Sequence, residues 1–167
     1  CRELEQRGCR VTYVDVDRTG QVDVPALQQA IDGGTGLISI MHTNNEVGTV
    51  QPIEAIGEIA RRHHVMCHVD VVQATGMLDK PLRDLPVDLM SFSAHKLGGP
   101  KGTGALYVSE QATWKPSSFG GAQESGRRAG TENVAGIVGF VKALELACEQ
   151  REHNERHFES LRQEMIR

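Results

Sequence analysis

Short apolar runs alternate with amphipathic stretches along most of this chain. The opening residues, CRELEQR, have the pattern of the last turns of a helix, with Gly8 placed to close it in a left-handed conformation. Residues 11–16, VTYVDV, are β-branched and aromatic and predict a strand. After a turn over 17–20, Asp23 is placed to cap a short helix. Pro25 would sit in its first turn, with Ala26, Leu27, Ala30 and Ile31 facing inward. Residues 37–41, LISIM, are continuously apolar, the pattern of a strand buried on both faces. Pro52 opens a helix in which Ile53, Ile56, Ile59 and Ala60 recur at helical spacing, with Glu54, Glu58, Arg61 and Arg62 outside. Further strands are predicted over 65–69, 88–93 and 103–108. A glycine-rich loop over 119–130 leads to a helical pattern from about Asn133 almost to the end. Its expected buried stripe is Val134, Ile137, Val138, Val141 and Leu144, and its later part is highly charged. The alternation predicts an α/β fold with a mainly parallel sheet. Residues 1–145 are expected to belong to one domain. Residues 146–167 are expected to form a helix leading toward a second, smaller domain outside the chain.

Composition narrows this picture. The 167 residues suffice for one domain, and 39% hydrophobic with 24% charged residues is a globular balance, not a disordered one. A net charge of −4 gives no electrostatic case for nucleic acid or an anionic membrane as partner. Eighteen glycines with only 4% aromatics suit tight turns around a polar ligand better than platforms for stacking bases. No apolar run approaches the roughly 20 residues of a membrane helix, and no signal peptide is visible. The chain lacks an initiator methionine, so its ends are expected not to be the natural ones. Cys1, Cys9, Cys67 and Cys148 are scattered without a C-x-x-C pair, which indicates neither a zinc site nor a disulfide framework. They fit a reducing cytoplasm, with Cys67 as core.

The polar residues gather where three predicted strands end: Asn44-Asn45-Glu46, then Asp70 with Gln73, then Ser93-Ala94-His95-Lys96. In parallel α/β sheets ligands bind beyond the carboxyl ends of the strands. Lys96 follows an apolar strand and precedes LGGPKGTG, whose glycines allow close backbone approach. A partly desolvated lysine there would offer a nucleophilic amine. Alone, Lys96 reads as a solvated loop lysine and Asp70 as a turn residue. Together, a Schiff-base lysine and a carboxylate for a pyridinium nitrogen are the protein complement of pyridoxal phosphate. Asn45 and Gln73 are amides able to hold the ring hydroxyl, and Ser93 and His95 can reach phosphate oxygens. Each of these alone is also a common loop or cap residue.

The runs SIMHTNNEVGTVQPI, HVDVVQATG, VDLMSFSAHKLGGPKGTGALYV and GGAQESGRRAGTENV resemble, in order and approximate spacing, the cysteine desulfurases of the NifS type. These are fold type I pyridoxal-phosphate enzymes of the class V aminotransferase group. The resemblance implies a three-layer sandwich around a mainly parallel sheet, with residues 1–145 part of the cofactor-binding large domain. It implies Lys96 as the Schiff-base lysine that also moves protons, and Asp70 as the partner of the pyridinium nitrogen. Asn45 and Gln73 would contact the ring hydroxyl, and Val72 would pack on one ring face. Ser93 and His95 would be phosphate ligands, and Thr131 would reach the phosphate of a neighbouring subunit in a homodimer. The implied reaction takes L-cysteine to alanine and passes sulfur to a protein cysteine, for delivery to a sulfur-acceptor protein in iron–sulfur cluster or thio-cofactor assembly in the cytoplasm.

The resemblance covers the central part of such an enzyme. The family's N-terminal phosphate-binding turn and ring-stacking histidine would precede Cys1. Its acceptor cysteine and its carboxylate-binding arginine would follow Arg167, so the chain alone is expected to be inactive. Val71 stands where the family has Ala or Gly, expected beside the cofactor, where extra methyls could crowd the turn. Ala122 replaces a glycine, costly if that position needs a positive φ. Ser125 and Arg127 replace an arginine and a leucine. Two further readings accompany the desulfurase: a selenocysteine lyase or another class V aminotransferase, and a non-catalytic α/β scaffold.

Overall fold

A computed structural model describes residues 1–78 and 80–167. Four strands, β1 (Leu37–Met41), β2 (Met66–Asp70), β3 (Leu89–Ser93) and β4 (Gly104–Val108), form one sheet in that order. The first three run parallel, and β4 returns antiparallel to β3. The register places Ser39 beside His68 and Asp70 beside Ser91. This is the mostly parallel α/β architecture that the alternation predicts.

The core lies on one face of the sheet. Helices α2 (Val24–Ala30) and α3 (Ile53–Arg62) bring Leu27, Ile53, Ile56, Ile59 and Ala60 against Cys67, Val69, Val71, Val87 and Met90. The inward set of α3 is the predicted one, joined by Gly57. Asp23 caps α2 by accepting the Ala26 amide at 2.9 Å, and Leu27 is its one buried residue. A Cβ at Gly57 would lie 2.2 Å from the Pro86 carbonyl oxygen, so glycine lets α3 approach that loop. Gly57→Ala is therefore expected to cost about 1–3 kcal/mol, read as a lower urea midpoint with an unchanged m-value.

Helix α1 (Arg2–Gln6) ends as predicted. Gly8 takes φ +84°, and the amides of Gly8 and Cys9 return to the carbonyls of Glu5 and Leu4, a Schellman closure. Other expectations need correction. Residues 11–16 form no strand: Val16 makes a single antiparallel bridge to Val22 around a turn held by the Asp17 carboxylate. Tyr13 and Val16 are exposed, because β-branched composition makes a strand only where a neighbouring strand accepts it. β1 is not buried on both faces. It is the sheet edge among the described residues, and Leu37 is 47% exposed.

The C-terminal helical pattern divides into α5 (Val134–Glu149) and α6 (Arg151–Ile166), separated at Gln150. Asn133 caps α5 by accepting the Gly136 amide at 3.0 Å. The predicted stripe is wrong: Val134, Ile137, Val138 and Val141 are 66, 40, 62 and 50% exposed, and Leu144 alone is half-buried. The inward side is a seam of small residues. A Cβ on Gly139 would meet Pro100 at 2.6 Å, one on Gly99 would meet Ala143 at 3.1 Å, and one on Gly76 would meet Ala147 at 2.9 Å. Close backbone approach selected small residues there, so apolarity pointed to the wrong face. Gly136 and Phe140 are the buried positions of α5.

Candidate active site

β2 ends in a braced turn. The Asp70 carbonyl accepts the His42 amide at 2.8 Å, and the Val71 amide donates to the Ser91 carbonyl at 3.1 Å. The Asp70 carboxylate accepts the Val72 amide through Oδ1 at 2.9 Å. The Thr75 hydroxyl donates to the Val71 carbonyl at 2.7 Å and closes the turn. The side chain of Asp70 is thus half-buried and held at the carboxyl end of the strand. Val71 is fully buried and belongs to the core that packs on α2 and α3.

On the neighbouring strand, Ser93 leads into a 3-10 turn, Ala94–Leu97, that carries His95 and Lys96. Gly98 closes it at φ +77°, and the amides of Ala94 and Gly99 bond to the carbonyls of Thr103 and Ala94. The turn rests on α5 through fully buried Ala94 and half-buried Gly99. Lys96 itself is exposed. The desolvation expected for it is not supplied by the residues around it here, because the glycines that shape its loop wall off no water.

At the end of β1, Asn44 and Asn45 separate in role. Asn44 Oδ1 accepts the amides of Glu46 and Val47 at 2.9 and 3.0 Å and builds the turn. Asn45 is left exposed beside it. Of the predicted set, Lys96 and Gln73 line one cavity of about 340 Å³ together with Val72, closed by Ala143, Ala147 and Gln150 near the α5–α6 junction. Asp70 and Ser93 are half-buried at adjoining strand ends, and His95 and Asn45 are exposed at the same rim. None of these four lines that cavity. Thr131 is also outside it, exposed in the loop before α5. In that loop Glu124 and Ser125 take φ +50° and +57°, whereas Ala122 sits at φ −89°. The cost expected at Ala122 is therefore absent.

Sequence reasoning missed two half-buried histidines. His42 shares a 2.8 Å hydrogen bond with the Thr43 hydroxyl through Nδ1, and burial pushes its pKa down. His68 lies between Ser39 and Ser91, two residues before Asp70. The signal was present in the period-two pattern of β2, where buried Cys67 and Val69 alternate with His68 and Asp70. Cys67 is core: burial and the Asp88 charge push its thiol up to about 12.

The donor set suits pyridoxal phosphate. A primary amine and a half-buried carboxylate stand at neighbouring strand ends, and neither forms an ion pair with a described residue. A half-buried carboxylate bonded to one amide retains acceptor capacity for a cationic N–H.

The mostly parallel α/β fold is of the aminotransferase class V kind, and the chain belongs to that family: its model, described as "Aminotransferase class-V", matches residues 1–166. Within the family the similarity runs to the IscS and NifS cysteine desulfurases. The chain is 49% identical to "Cysteine desulfurase IscS" of Methanosarcina thermophila over 99% of its own length and 41% of that relative. It is 47% identical to "Putative cysteine desulfurase IscS 1" of Bacillus subtilis (strain 168), over 97% of the chain and 43% of the relative. Among solved structures it resembles a "NIFS-LIKE PROTEIN" with a TM-score of 0.94 at 42% identity, covering 99% of this chain and 46% of that one. It also resembles "SspA in complex with cysteine", with a TM-score of 0.83 at 43% identity over 87% of this chain and 42% of that one. The chain spans less than half the length of these relatives. The family is pyridoxal-phosphate dependent. No helix among the described residues is long and apolar enough to cross a membrane.

Proposed function

We propose that this chain is the cofactor-binding core of a pyridoxal-phosphate-dependent cysteine desulfurase, which takes L-cysteine to alanine and passes the sulfur to a protein cysteine. The observation that carries the proposal is the placement of Asp70 at the end of β2 and of Lys96 in the turn that follows β3, beyond the carboxyl ends of two adjacent parallel strands, each in its own braced turn. The likeness to cysteine desulfurases, and to a structure solved with cysteine, supports the choice of substrate.

When bound, the cofactor supplies an electron-accepting ring that stabilises negative charge developing on the substrate. Lys96 Nζ would bind it covalently and, once displaced by substrate, carry protons to and from the substrate carbon. Asp70 would hold a proton on the ring nitrogen. The amides of Asn45 and Gln73 would orient the ring hydroxyl, and Val72 would pack against the ring. Ser93 and His95 would hold the phosphate, and Thr131, exposed in its loop, would reach the phosphate of a second subunit in a homodimer. Residues 1–145 would belong to the large domain, with 146–167 connecting to a smaller one. The persulfide sulfur would pass to an acceptor protein serving iron–sulfur cluster or thio-cofactor assembly in the cytoplasm.

The test is spectroscopic. The full-length protein is mixed with pyridoxal phosphate, its visible absorbance recorded, and the mixture reduced with borohydride. The expected result is a visible band and a reduced adduct that mass spectrometry locates on Lys96. An adduct elsewhere, or none, overturns the assignment.

A further inference from the structure

A row of hydrogen bonds crosses the three parallel strands just below their carboxyl ends. Ser39 Oγ on β1 lies 2.8 Å from His68 Nδ1 on β2, and His68 Nε2 lies 2.6 Å from Ser91 Oγ on β3. Both ring nitrogens are therefore engaged, which fixes the imidazole in rotation and in plane. Residues two apart on a strand share a face, so His68 and Asp70 project from the same side of β2. The register puts Ser91 directly beside Asp70. One end of the row is thus anchored on the residue that flanks the carboxylate. This face is opposite to the one that packs on α2 and α3, so the row contributes nothing to that core.

We infer that His68 is a positioning residue for Asp70: the Ser39–His68–Ser91 row ties the three strand ends together and keeps a fixed imidazole next to the carboxylate. The inference rests on the proposed role of Asp70 toward the cofactor ring. A carboxylate that must hold a proton on a ring nitrogen works best when no other cation competes for it. A neutral imidazole held by two hydroxyls meets that condition, whereas a protonated one would place a second positive charge beside Asp70. Burial pushes the His68 pKa down and the Asp70 charge opposes that shift, with burial the larger cause. β1 and β3 oppose the ring with serine hydroxyls, and Asp70 on its own strand is the charged group that acts on it.

The experiment compares full-length wild type with His68→Leu, His68→Gln and Ser91→Ala. Three quantities are read: the dissociation constant for pyridoxal phosphate, the pH midpoint of the bound cofactor's visible absorbance, and the melting temperature of the cofactor-free protein. His68→Leu is expected to weaken cofactor binding on the order of tenfold and to displace the absorbance midpoint. His68→Gln, which keeps one donor and one acceptor, is expected to restore much of both. Ser91→Ala breaks the row at one end and should give an intermediate effect, which serves if His68→Leu does not fold. A lower melting temperature with unchanged affinity and midpoint reduces the row to a structural brace and overturns the inference. If the wild type itself forms no reducible adduct on Lys96, the underlying functional reading fails instead, so the two failures are distinguishable.

Discussion

Lys96→Ala in the full-length protein is expected to eliminate the borohydride-reducible adduct and to lower cysteine turnover by on the order of 10³-fold or more, because both the covalent anchor and the proton carrier are lost. The substitution is structurally mild. Lys96 is exposed, forms no ion pair with a described residue, and sits in a turn held by backbone bonds between Ala94, Gly99 and Thr103. Surface changes of this kind shift stability within about 0.5 kcal/mol, so lost activity cannot be traced to unfolding, and a melting curve checks this. Cofactor held by Asp70, Ser93 and His95 would remain as a weaker, non-covalent complex with the absorbance of free aldehyde. A variant that still yields a reduced adduct at residue 96's turn, on another amine, or that keeps wild-type turnover, removes Lys96 from the chemistry.

The site was legible where the chain carries its own local signal. Strand-end positions for Asp70 and Lys96 follow from two apolar runs and the glycines after the second, and the structure places both residues there. The inward face of α3 is likewise local, since four apolar residues at helical spacing leave one choice. What failed depends on neighbours. The run 11–16 has strand composition and no strand beside it. LISIM is apolar throughout yet lies at an edge. α5 is apolar on more than one side, and the side that packs was chosen by steric clearance against Pro100, Gly99 and Gly76. His68 was missed because a strand histidine gains meaning only when Ser39 and Ser91, 29 residues before it and 23 after it, flank its ring. Likewise, the exposure of Lys96 could not be read from its sequence context, because what desolvates a loop is whatever packs over it.

Asp70→Asn separates charge from architecture. Asparagine keeps an Oδ1 that can still accept the Val72 amide, so the turn after β2 survives with its bond to Thr75 and its register to Ser91 intact. What disappears is the negative charge. A ring nitrogen that loses an adjacent carboxylate loses affinity for its proton, and each unit of that loss is about 1.4 kcal/mol. A ring that is less protonated near neutrality would be a weaker electron acceptor. Turnover is therefore expected to fall by roughly 10²–10³-fold, while the reducible adduct on Lys96 persists, since that bond forms at the other end of the cofactor. Asp70→Ala should lose as much activity and additionally destabilise the turn by about 1 kcal/mol, the net worth of a hydrogen bond to its amide. The pair of variants is decisive when read together. Equal activity in wild type and Asp70→Asn would strip Asp70 of its role at the ring. A fall confined to Asp70→Ala would make it a turn-capping residue and nothing more.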